Sequence, residues 1–141
     1  MILLDTNILT ASKQPGHPDY GRVTARLQQF MIDGEELAIC PQNLYEFYTA
    51  ATRPIASRGL GFTKQQALAE MENLKTTYTL IDDPTNLYSD WEKIITQYDV
   101  SGKQAHDARL VAFMQGVAID TFYTNNVQDF NRYTDIITVL N

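Results

Sequence analysis

Asp5, Glu46, Asp107 and the pair Asn126 and Asp129 are the residues whose types and spacing could do chemistry in this chain. Asp5 closes Ile2-Leu3-Leu4, a short apolar run without a period of two, as expected of a strand covered on both faces. It therefore stands where such a strand leaves the core. Glu46 falls on a helix predicted from Pro41 to about Thr52, on a polar line with Asn43, Ala50 and Arg53 and off the apolar stripe of Leu44, Phe47, Tyr48 and Ala51. Asp107 sits in the middle of a helix that is apolar nearly all round, where an unpaired carboxylate is costly. Asn126 and Asp129 belong to a loop after a later strand. Carboxylates and one amide form an oxygen-only donor set, which suits Mg²⁺ or Mn²⁺ and not zinc. Clustered without a cation, such acids repel one another and their pKa values rise.

Each residue also has a plainer account. Asp5-Thr6-Asn7 is good turn chemistry. Glu46 could pair with Arg53 or Asn43 on its own helix. Asp107 could pair with Lys103 one turn back, worth a few tenths of a kcal/mol if exposed. An aspartate before a phenylalanine, as at Asp129, is common in loops. The functional account rests on all four places falling in one order within one architecture.

That architecture is read from alternation of short apolar runs with amphipathic stretches. Gln14-Pro15-Gly16-His17-Pro18 is turn-rich. A helix is predicted over Tyr20–Ile32, with Val23, Leu27, Phe30 and Met31 inward and Asp33-Gly34 as its stop. Leu37 to Cys40 reads as a second strand. Ser57-Arg58-Gly59-Leu60-Gly61 reads as a flexible loop, and Thr63 with Gln66 as a capping box opening a helix to about Thr77. Thr79-Leu80-Ile81 is a third strand. Asp83-Pro84 reads as N-cap and first position of a helix carrying Leu87, Trp91, Ile94, Ile95 and Tyr98 inward. Ser101 with Gln104 reads as a capping box for the helix that holds Asp107 and closes at Gly116. Val117–Phe122 and Ile136–Leu140 are further strands. Strands alternating with helices predict a single three-layer α/β/α domain over residues 1–141, with a mainly parallel central sheet. In such sheets ligands bind beyond the carboxyl ends of the strands.

Composition narrows the setting. A chain of 141 residues, 44% hydrophobic, can bury a core without staples. Cys40 is the lone cysteine, which excludes a disulfide framework and a thiolate zinc cluster and makes a reducing cytoplasm the expected location. No run of about 18 apolar residues predicts a membrane span. The net charge of -6 argues against a general nucleic-acid binder, but acids and bases balance over residues 1–64 and the acidic excess comes later.

The anchors Leu3-Leu4-Asp5-Thr6-Asn7, Pro41-Gln42-Asn43-Leu44-Tyr45-Glu46-Phe47, His106-Asp107-Ala108-Arg109-Leu110-Val111-Ala112 and Thr124-Asn125-Asn126-Val127-Gln128-Asp129-Phe130 resemble, in order, those of PIN domains. The closest resemblance is to the VapC-like ribonuclease toxins of bacterial toxin–antitoxin systems, and it spans essentially the whole chain. It implies that Asp5, Glu46 and Asp107 are the core metal-binding acids. Asn126 stands where many members carry the aspartate of Thr-x-Asp, and Asp129 falls where the family often has an acid. Thr6, Asn7 and Thr124 would orient the acids by hydrogen bonding. The implied reaction is metal-dependent endoribonucleolysis of structured RNA such as tRNA, with water activated by Mg²⁺ or Mn²⁺ attacking in line. Arg53, Arg58, Lys103, Arg109 and Lys13 are candidates for gripping phosphates, Arg53 first because it shares the Glu46 face. The implied partners are a VapB-like antitoxin that inserts an arginine or another residue into the acidic pocket, and a second copy of the chain. A catalytically inactive PIN-fold scaffold is the alternative, raised by Asn126. A response-regulator receiver lacks its paired first-strand acids and late lysine here, and a phosphatase would want an aspartate where Asn7 stands.

Overall fold

Three residues suffice for the first strand because both of its faces are covered. In the computed structural model, which describes residues 1–141, β1 (Ile2–Leu4) is wholly buried. It is flanked by β2 (Leu37–Ile39) and β4 (Thr121–Tyr123), with β3 (Thr79–Leu80) and β5 (Thr138–Leu140) at the edges. The sheet is parallel throughout, in the order β3-β2-β1-β4-β5, with Leu3 level with Ala38 on one side and Phe122 on the other. The helices are α1 (Thr6–Ser12), α2 (Tyr20–Ile32), α3 (Pro41–Thr52), α4 (Lys64–Thr77), α5 (Leu87–Gln97), α6 (Gln104–Gly116) and α7 (Val127–Phe130).

Side chains of the strands alternate between two cores. Ile2, Leu4, Leu37, Ile39 and Tyr123 pack on residues of α1 to α4. Leu3, Ala38, Cys40 and Phe122 pack on residues of α5, α6 and α7. This is the expected three-layer α/β/α arrangement. The chain fills β1, β2 and β3 outward in one direction and then crosses to β4 on the far side of β1. The β1–β4 boundary is thus the switch point of the sheet, where a crevice opens beyond the strand ends. No helix is long and apolar enough to cross a membrane.

Several expected boundaries move, each for a local reason. Asp5-Thr6-Asn7 is not a turn: Ile8 and Leu9 donate their backbone N–H groups to the Asp5 carbonyl, and α1 starts there. Met31 is exposed, since Val23, Leu27 and Phe30 already fill the inward face of α2. Asp83 caps no helix; it pairs with Arg109, and α5 begins later, after Asn86. Ser101 makes no cap either, because Gly102 turns left-handed and α6 begins after Lys103. Asp107 consequently lies in the first turn of α6 rather than its middle, and Lys103 forms no ion pair with it. The strand expected over Val117–Phe122 is shorter, because Ala118 adopts a positive φ of 57°. Asp129 is on the short helix α7, not in open loop. The expected box at α4 and the span of α3 hold: the Thr63 hydroxyl accepts from the Gln66 N–H at 3.1 Å, while the Gln66 side-chain oxygen accepts from the Thr63 N–H at 2.8 Å.

The Ser57–Gly61 segment is strapped to the end of α3. Leu60, Gly61 and Phe62 donate backbone N–H groups to the carbonyls of Ala50, Arg53 and Ala51. Gly59 passes so close that an added Cβ would stand 1.9 Å from the Arg53 carbonyl oxygen. Gly59→Ala is expected to lower stability by about 1–3 kcal/mol or more, read as a fall in the urea midpoint, since backbone rather than a flexible side chain must give way.

Candidate active site

Asp5, Glu46, Asp107, Asn126 and Asp129, which come from the end of β1, from α3, from α6 and from α7 with its cap, line one cleft of about 300 Å³ at the switch point. Asp5 is the deepest of them, 8% exposed. Its backbone N–H bonds the Tyr123 carbonyl at 2.9 Å, so the end of β1 is fastened to β4 just where the carboxylate emerges. Its Oδ2 accepts from Thr124 Oγ1 at 2.6 Å and Asn7 Nδ2 at 2.8 Å. Thr124 Oγ1 also accepts from the Asn126 N–H at 2.9 Å, and the Asn7 carbonyl oxygen of the side chain accepts from the Asn125 N–H at 3.1 Å. Two short side chains therefore lock the carboxylate to the loop after β4.

Glu46 is held from both sides. Its Oε2 accepts from Thr6 Oγ1 at 2.8 Å, and its Oε1 from Gln42 Nε2 at 2.7 Å. Gln42 also donates to the His106 carbonyl at 2.9 Å and accepts from Arg109 Nη1 at 2.9 Å, while Arg109 Nη2 meets Asp83 Oδ2 at 2.8 Å. Gln42 is thus a buried clasp between α3, which carries Glu46, and α6, which carries Asp107. Asn43, fully buried, ties the start of α3 to the end of β1: its Oδ1 accepts from Cys40 N, and its Nδ2 donates to the Leu4 carbonyl and to Thr6 Oγ1. Neither role was expected from the sequence, where Asn43 was placed on the polar line with Glu46. Two signals were present: Gln42 precedes Glu46 by four residues, and Asn43 is the third residue of a proline-started helix, where a side chain reaches the cap.

Burial and mutual repulsion shape the acids. Asp5 is raised from the ordinary 3.8 to about 6, chiefly by burial, with the charges of Glu46 and Asp107 adding and the Thr124 hydroxyl opposing. Asp107 is also raised to about 6, by burial first and then by the charges of Asp129 and Glu46. No three Asp, Glu, His or Cys side chains stand close enough together to grip a metal ion among themselves. The donor set nevertheless fits a hard divalent cation: every group is an oxygen, two carboxylates carry charge at a cost a cation would relieve, and Mg²⁺ needs only one or two carboxylates beside its waters. Asn126 and Asp129, both exposed at the mouth, leave the cleft's outer corner the less constrained one. Cys40 is buried and its thiol pushed up to about 11 by burial, so it offers no nucleophile.

Thr124→Val removes the 2.6 Å bond to Asp5 without changing size. The Asp5 carboxyl then climbs further above 6, because the opposing hydroxyl is gone. A reaction that needs Asp5 ionised should lose about 10–100-fold, with the acid limb of its pH–rate profile moved to higher pH and Thr124→Ser restoring it.

The basic candidates separate. Arg53 borders Glu46 in a neighbouring cleft shared with Tyr45, His106 and Arg109. Lys13 is taken up by Glu70 at 2.9 Å. Arg109 spends its fork on Gln42 and Asp83. Arg58, in a left-handed turn after Ser57, and Lys103, ahead of α6, are exposed.

The fold and cleft together define a parallel three-layer α/β domain with an acid-lined crevice at its switch point. Among solved structures the chain is similar over its full length to VapBC2 of Rickettsia felis bound to a promoter DNA fragment, at 18% identity, complete coverage of both chains and a TM-score of 0.72. VapBC-1 of nontypeable Haemophilus influenzae matches at 18% identity, covering 100% of this chain and 98% of that one, with a TM-score of 0.71. VapC20 of Mycobacterium tuberculosis, a Sarcin-Ricin loop cleaving toxin, matches at 17% identity, 86% and 87% coverage and a TM-score of 0.62. No protein-family model and no curated protein matches the sequence. The chain has the PIN-type fold of the VapC toxins.

Proposed function

We propose that this chain is a metal-dependent endoribonuclease, the toxin of a VapBC-like toxin–antitoxin pair. The observation that carries the reading is the meeting of Asp5, Glu46, Asp107 and Asp129 in one cleft, on a fold that solved VapC toxins share. Asp5, Glu46 and Asp107 would hold the cation, one or two directly and the rest through its waters, with Asn126 or Asp129 at the outer corner. When bound, Mg²⁺ or Mn²⁺ supplies a more acidic water and positive charge beside the phosphodiester. The chain's own contribution is orientation. Thr124 and Asn7 fix one oxygen of Asp5, and Thr6 and Gln42 fix both oxygens of Glu46, so neither carboxylate must reorganise as substrate enters. Arg53, beside Glu46, is placed to meet a phosphate, and Arg58 and Lys103 are further exposed cations for the backbone. A cognate antitoxin and a second copy of the chain belong to the same reading.

The test is incubation of the purified chain, free of antitoxin, with total bacterial RNA. Discrete cleavage with Mg²⁺ or Mn²⁺, abolished by EDTA and by Asp5→Ala, is the expected result. RNA left intact by wild type and Asp5→Ala alike would sink the reading. Mn²⁺ binding lost on Asp107→Asn separates the enzyme from a scaffold that binds no metal.

A further inference from the structure

Beyond the acid cleft, on the far side of Arg109, lies a cavity of about 440 Å³ between α5 and α6 that none of the site residues above requires. Its walls are Tyr88, Trp91 and Leu87 on α5 and Ala105, His106 and Arg109 on α6, with Asp83 at the rim. His106 and Arg109 also line the cleft that holds Glu46 and Arg53, and Glu46 in turn lines the acid site, so acid site, basic cleft and aromatic cavity are successive neighbours. Both rings are held by their polar ends. The Trp91 indole N–H donates to the Ala105 carbonyl at 2.7 Å, and the Tyr88 hydroxyl donates to Glu92 at 3.2 Å. Their centroids lie 5.8 Å apart and their planes are tilted by 38°, while Tyr88 is 70% exposed. A half-buried tryptophan held by its N–H, with an exposed tyrosine tilted beside it and the Arg109–Asp83 ion pair in the wall, offers ring faces of the kind on which unpaired bases stack.

We propose that this cavity is a subsite for an unpaired base of the substrate RNA, stacked on Tyr88 and Trp91 and flanked by Arg109 and Asp83. The proposal rests on RNA being the substrate. The phosphate chain would then run past Arg53 to the acids, and the subsite would select strands with an extruded or single-stranded nucleotide at a fixed distance from the cut.

Trp91 is the single tryptophan, so its fluorescence reports on the cavity directly. The experiment uses full-length Asp5→Asn protein, titrated with a mixed-sequence single-stranded RNA oligonucleotide, the same oligonucleotide annealed to its complement, and inorganic polyphosphate. Saturable quenching by the single strand alone is expected. Adding Tyr88→Ala should weaken it by roughly 5- to 150-fold, and Tyr88→Phe should retain it. Tyr88 is exposed, so loss of folding does not confuse the result, and circular dichroism checks it. Equal response to duplex or polyphosphate, or unchanged affinity in Tyr88→Ala, overturns the subsite. So does a Tyr88→Ala protein that falls from dimer to monomer at unchanged RNA affinity, which assigns the face to a second copy. Cleavage by the wild-type chain is scored separately on gels. RNA cut without quenching removes the subsite and leaves the nuclease; quenching without cutting removes the nuclease, and with it a substrate subsite, and leaves only a cavity that binds unpaired bases.

Discussion

Asp5→Asn is expected to abolish cleavage and, at the same time, to make the metal-free protein more stable at neutral pH. The loss should exceed the roughly 10–100-fold that removal of an outer hydrogen-bonding partner causes, because on the proposed reading a metal ligand itself is lost. The gain follows from the sign of the pKa shift. The folded carboxyl titrates near 6 against an ordinary 3.8, so the folded state binds the proton more tightly than the unfolded chain. Stability from this group is therefore full below about 4 and lost as pH rises through 6. At pH 7.5 the wild type carries a buried charge that asparagine lacks. The difference between 3.8 and about 6 corresponds to at most about 3 kcal/mol, and Asp5 is buried enough for most of that to be felt. Urea unfolding from pH 4 to 8 should show the variant ahead at high pH and the two curves converging on the acid side. Mg²⁺ should stabilise the wild type and leave the variant unmoved, since a ligand stabilises only the state that binds it. A variant less stable than wild type at pH 7.5 would contradict the account of Asp5 as a charge held at a cost.

Asn43→Ala is expected to be the most damaging small substitution outside the apolar cores. Its amide satisfies the Cys40 N–H at 2.8 Å and the Leu4 carbonyl at 3.1 Å, both without access to water. Leaving two such groups unpaired costs about 2–6 kcal/mol, a large part of the stability of a domain this size. Asn43→Asp keeps the acceptor but loses the donor and places a carboxylate beside the Leu4 carbonyl oxygen. It should be at least as destabilising at pH 7 and should recover as pH falls and the acid takes up its proton. Thermal and urea unfolding of both variants checks this. Wild-type stability in Asn43→Ala would mean that the joint between β1 and α3 is held by packing alone.

These two residues mark how far the sequence reaches. Asp5 was legible because burial on both faces leaves a continuous apolar run, and a carboxylate ending such a run is conspicuous. The spans of α2, α3 and α4 were legible for the same kind of reason: periodicity, a stop at Asp33-Gly34, proline at position 41 and the Thr63–Gln66 box are all local. The three-layer architecture follows from their alternation with short strands. What could not be read was decided by partners distant in sequence. Asn43 sits on the polar side of its helix, and only the passage of β1 alongside turns that side into interior. Arg109 looked like a free cation until the approach of α3 and the residues before α5 gave it Gln42 and Asp83. Asp107 appeared mid-helix because Ser101 and Gln104 imitate a cap that Gly102, turning left-handed, prevents. Local sequence records which side chains seek water and how the backbone repeats. The strand order, with β4 beside β1, decides which hydroxyls and amides meet the acids, and those contacts across the sheet give the cleft its geometry.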